Sequence, residues 1–114
     1  LASYNEKYDI TQYFLDRGAE VDAQDPAGNT ALMGVCFKGY KAIASLLLEY
    51  GADVNVRNFN GATALIYAAT FNQTEIAKLL LEKGADKTVQ DVRGNTAYMQ
   101  AKFQGLPQLA ELLA

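Results

Sequence analysis

The chain repeats itself every 33 residues, and that period rules out most of the folds open to 114 residues. Gly28, Gly61 and Gly94 stand in register, as do Thr30, Thr63 and Thr96. So do the Gly-Ala steps that begin at Gly18, Gly51 and Gly84. The aligned blocks read DPAGNTALMGVCFKGYKAIASLLLEYGADVNVR, NFNGATALIYAATFNQTEIAKLLLEKGADKTVQ and DVRGNTAYMQAKFQGLPQLAELLA. A unit this short cannot bury its own apolar faces, so it must stack on neighbouring units. The expected organisation is a single domain over residues 1–114: a partial unit at 1–24, whole units at 25–57 and 58–90, and a shortened capping unit at 91–114.

Within a unit the pattern is helical. Each threonine of the register stands where a hydroxyl can cap a helix N-terminus. Leu65, Ala68 and Ala69 then follow at i, i+3 and i+4, the spacing of one helix face. After a turn at Phe71–Gln73, Ile76, Ala77, Leu79, Leu80 and Leu81 make a second helix that is apolar on more than one side. Gly84 lies just past its end, where a left-handed cap favours glycine. The spacing predicts helices over 9–17, 30–37, 41–49, 63–70, 74–82, 96–103 and 107–113, an all-α fold. Leu47, Leu80 and Leu112 are expected to occupy equivalent buried positions in successive second helices.

Composition narrows the chemistry. The chain has no histidine, which removes histidine-based triads and most zinc sites. Its net charge of −3 argues against a general nucleic-acid binder. No apolar run approaches the length of a membrane span. Carboxylate pairs such as Asp22 with Asp25, or Asp86 with Asp91, fall in turns and read as solvated turn residues rather than an acid–base pair. The single cysteine, Cys36, shares its place in the repeat with Ala69 and Lys102, and reads as a small packing residue. No catalysis, cofactor or metal is expected. The compartment reads as cytoplasmic, or as periplasmic or secreted if an upstream signal is removed.

The period and the pattern T-A-L … LLLE-x-GAD-V-N closely resemble the ankyrin repeat, over essentially the whole chain. The usual TPLH of that family is replaced by TALM, TALI and TAYM, so Met33, Ile66 and Met99 stand where the family carries a histidine. The polar network made by that histidine is therefore expected to be missing. The resemblance implies a solenoid of helix-turn-helix units joined by hairpin-like loops, and a protein or peptide partner bound along the hairpin tips and the exposed side of the first helices. Carried over residue by residue, that surface centres on Phe37, Lys38, Arg57, Phe59, Asn60, Phe71, Gln90, Arg93 and Phe103, with Ala62 also counted on it. Phe37, Phe59, Phe71 and Phe103 are four of the five phenylalanines, and exposed aromatics beside arginine mark interaction sites. The competing reading is that Phe37, Phe71 and Phe103 pack into the turn between helices. A regulatory or scaffold segment of a larger enzyme, transporter or effector is the alternative to a stand-alone interaction module.

The two ends differ. Lys102, Gln100 and Gln104 make the last unit polar, as a cap requires, and Pro107 suits the first turn of its second helix. At the amino end Leu1–Asn5 match only the tail of a first helix, and Tyr8, Ile10, Tyr13 and Phe14 carry an apolar load with nothing upstream to cover it. The expectation is a chain that continues upstream, or self-association through this face.

Overall fold

Thr30, Thr63 and Thr96 do what their spacing requires. In the computed structural model, which describes residues 4–114 apart from the Tyr4 side chain, each is extended and caps a helix. The Met33, Ile66 and Met99 N–H groups donate to their hydroxyls at 3.3, 3.3 and 3.2 Å. The helices they start are α2 (Ala31–Lys38), α4 (Ala64–Thr70) and α6 (Ala97–Phe103). Each is followed by a second helix: α3 (Lys41–Glu49), α5 (Thr74–Glu82) and α7 (Pro107–Leu113). With α1 (Tyr4–Asp16) these make an all-helical architecture without strands among the described residues.

Helices α2, α4 and α6 pack in sequence as an inner layer, and α1, α3 and α5 pack in sequence behind them. Small side chains set the inner spacing. Ala64, Ala68, Ala69, Ala97 and Ala101 are buried between helices, where a larger residue would push the layers apart. The molecule is accordingly elongated, 39 × 27 × 25 Å. Leu47 and Leu80 are buried in α3 and α5 as expected, but the third member of their column is Leu113, 2% exposed, and not Leu112, which is half-buried. Two adjacent leucines satisfy a short helical pattern equally well, and the 33-residue spacing from Leu80 selects the second.

The turn between inner and outer helix passes through the left-handed region in every unit. Gly39, Asn72 and Gly105 lie 33 residues apart, with φ of 78°, 54° and 69°. The equivalent residue at the amino end is Glu6, which disfavours that conformation. No turn forms there, and α1 runs unbroken from Tyr4 to Asp16 instead of starting at Asp9. This corrects the reading of Tyr4 and Asn5 as the tail of a separate first helix; the rest of that reading, Leu1–Ser3, lies outside the described residues.

Hairpins join the units and bond to one another. The Phe59 N–H donates to the Ala27 carbonyl at 3.1 Å, and one repeat later the Val92 N–H donates to the Asn60 carbonyl at 2.9 Å. Asp25, Asn58 and Asp91 brace each hairpin from inside, their Oδ1 atoms each accepting two backbone N–H groups at 2.9–3.0 Å. Gln24 and Arg57, again 33 apart, lace one hairpin to the next. Gln24 donates to the Gly28 and Arg57 carbonyls, and Arg57 to the Gly61 and Gln90 carbonyls.

Candidate interaction surface

The inner helices and hairpins present one continuous face. Phe37, at the end of α2, is 52% exposed, and Phe71, which caps the end of α4, is 37% exposed. They do not share a place in the repeat, since Thr70 is the residue equivalent to Phe37. Phe71 nevertheless closes the gap: the two rings meet edge to face with centroids 4.6 Å apart and planes at 78°. Tyr67 lies behind, its ring 6.2 Å from that of Phe71. The Lys38 ammonium sits 5.4 Å from the Phe37 ring centre, within cation–π reach.

Between these rings is an open groove of about 420 Å³, floored by Thr30, Met33 and Gly34. Gly34 is the only glycine outside the positive-φ set; it is helical, exposed, and a Cβ built on it would meet open space. Tyr67 and Gln100 occupy the same place in the following units, so the groove exists because a side chain is missing from this column. A second, more polar hollow of about 250 Å³ lies between α4 and α6, bounded by Asn60, Thr70, Arg93 and Gln100. Tyr67 lines both hollows.

A polar network fixes that tyrosine. The Asn58 amide donates to Asn29 Oδ1 and to the Tyr67 hydroxyl, both at 2.8 Å, and the hydroxyl donates to Asn29 Oδ1 at 3.1 Å. Asparagine at 58, where the other hairpins carry aspartate, is required for this: only an amide can brace the hairpin with its oxygen and donate across the repeat with its nitrogen. Asn58 is buried, and its amide has both partners it needs. At the histidine position itself the Met33 sulfur accepts the Thr30 N–H at 3.4 Å.

The structure thus brings Phe37, Lys38 and Phe71 together around one groove and Asn60 with Arg93 around the other. Phe59, 72% exposed, stands at a hairpin tip against the backbone of Gly28. Phe103, also 72% exposed, makes no ring contact among the described residues. Arg57 keeps its charge on this face, but its donors are committed to two carbonyls, one of them that of Gln90. Ala62 is not on the surface; it is buried beneath the hairpin. Sequence reasoning missed Gly34 and Tyr67. The signal was the column Gly34, Tyr67 and Gln100, which changes size and polarity where neighbouring columns are uniform.

Elsewhere the chemistry is muted. Cys36 is fully buried, and burial pushes its thiol from 9.0 up to about 12, so it is no thiolate at neutral pH. No helix among the described residues is long and apolar enough to cross a membrane.

A family model described as ankyrin repeats, in three copies, matches residues 1–91. No curated protein matches the chain.

Proposed function

The chain belongs to the ankyrin repeat family, and from that premise we propose that it binds a protein or peptide partner through the face formed by its hairpins and inner helices. Ankyrin repeats are in general protein–protein interaction modules and are typically not catalytic. One observation carries this reading: Phe37, Phe59, Phe71 and Phe103 are each at least 37% exposed. Folding gives no reason to keep such residues in water, whereas aromatic anchors are what a desolvated interface uses.

The test is a pull-down from source-cell lysate, run beside the Phe71→Ser, Phe103→Ser double variant. Each anchor at an interface centre could contribute more than about 2 kcal/mol, so capture should be abolished. The melting temperature should move by only a few degrees, about what loss of partial burial costs. Capture that survives the double change removes this face from consideration. A variant that unfolds assigns the two phenylalanines to the core.

A further inference from the structure

The charge on this face opposes that of the molecule. The hairpins and inner helices, residues 24–38, 57–71 and 90–104, carry four basic side chains (Lys38, Arg57, Arg93, Lys102) and two acidic ones, on a chain of net charge −3. The two acids, Asp25 and Asp91, each spend an oxygen on two backbone N–H groups of their own hairpin. Helices α2, α4 and α6 contain no acidic residue at all. Lys38 and Arg93 border the two hollows, which these same aspartates also line, Asp25 in the groove and Asp91 in the second hollow, and neither cation forms an ion pair among the described residues. The apolar groove and the arginine-bordered hollow meet at Tyr67, which lines both.

We propose that the occupant of this face is an acidic peptide segment carrying one large apolar anchor. The anchor enters the groove over Gly34, between Phe37, Phe71 and Tyr67, where only an aliphatic or aromatic side chain regains what it loses in leaving water. Carboxylates beside it lie toward Arg93 on one side of Tyr67 and Lys38 on the other; arginine matches a carboxylate with paired donors. Acidic residues on the rest of the chain repel a polyanion at longer range, which favours a short acidic peptide over a nucleic acid. This proposal rests on the interaction reading of the same face, and goes beyond it in fixing the chemistry of the partner.

The probe is a random-peptide display library selected on the whole chain, with the recovered peptides synthesised and titrated. The comparison proteins are Gly34→Leu, which fills the groove from an exposed position, Arg93→Glu, and Phe71→Ser; circular dichroism verifies that each is folded. The proposal expects peptides with a single Phe, Leu, Ile or Met close to Asp or Glu. Their affinity should fall at least about tenfold in Gly34→Leu and in Arg93→Glu, and should weaken as salt is raised. Peptides that need Phe71 but are neutral or basic overturn the proposal and leave the interaction reading standing. A selection that is empty, or whose peptides bind all three variants as well as the parent, overturns both. A random single-stranded oligonucleotide that binds as tightly as the best peptide, and is lost in Arg93→Glu, overturns the proposal in favour of a nucleic acid.

Discussion

Cys36 shows how far a single residue can be read from its column. Its equivalents are Ala69 and Lys102, and a position that accepts alanine inside a stack accepts a thiol as a small apolar group. The structure buries it completely and pushes its thiol up to about 12. The consequence for stability has a definite sign. The folded chain holds a proton that the unfolded chain gives up from about 9.0 onward, so this contribution is whole below pH 9 and is lost as pH rises toward 12. Urea denaturation of the parent and Cys36→Ala should therefore show a constant difference below pH 9. Above it the advantage of the parent should shrink, by at most about 1.4 kcal/mol per pH unit. The native thiol should also ignore an aromatic disulfide reagent at neutral pH until denaturant is added. Leu80 offers a harsher test of the register: Leu80→Ala removes a fully buried side chain and should cost roughly 2–5 kcal/mol by chemical denaturation. A loss below about 0.5 kcal/mol would mean the column is misplaced. What a column could not reveal was Arg57. Its charge was legible, but its commitment to Gly61 and Gln90 depends on where the next hairpin sits, which no local pattern encodes.

At the scale of elements, the helices were legible because threonine and glycine punctuate them with a physical reason at each mark. Only α1 departs, and there Glu6 replaces a residue that can turn left-handed, so the helix has no cause to stop. The same column predicts the effect of substitution at Asn72, the single non-glycine residue with positive φ among the described residues. Asn72→Gly should be neutral or stabilising, whereas Asn72→Val should cost about 1–2 kcal/mol, both read from thermal melts. Gly34 is the opposite case, a glycine with helical backbone and open space where a Cβ would go. Gly34→Ala should therefore stabilise by roughly 0.5–1 kcal/mol. A natural sequence that forgoes this gain at the floor of the groove is what an uncovered binding surface would look like, and it was invisible to helix propensity alone. The exposed phenylalanines were legible as a set. Their partner Tyr67 was not, because its orientation comes from Asn29 and Asn58 on two different hairpins.

At the scale of the molecule, the two ends of the stack behave differently. Ile10, Tyr13 and Phe14 are exposed on α1, and Lys7, Ile10, Val35 and Ile43 line a hollow of about 400 Å³ where α1, α2 and α3 meet. Weak, concentration-dependent association is the expected outcome, seen by sedimentation and removed by Ile10→Glu with Phe14→Glu. Hydrogen exchange in α1 should outpace that in α5, whose Ile76, Ala77 and Leu80 are buried. A monomer at every concentration, with equal protection in both helices, would count against this. The hairpin ladder sets a limit on what such association can become. The Phe59 and Val92 N–H groups each donate a hydrogen bond to the preceding hairpin, and the residue in their place at the hairpin of residues 25–29 is Pro26. A proline has no amide proton to donate. Any hairpin set against Pro26, whether from elsewhere in the chain or from a second copy, therefore goes without the main-chain bond that Phe59 and Val92 supply at their own hairpins.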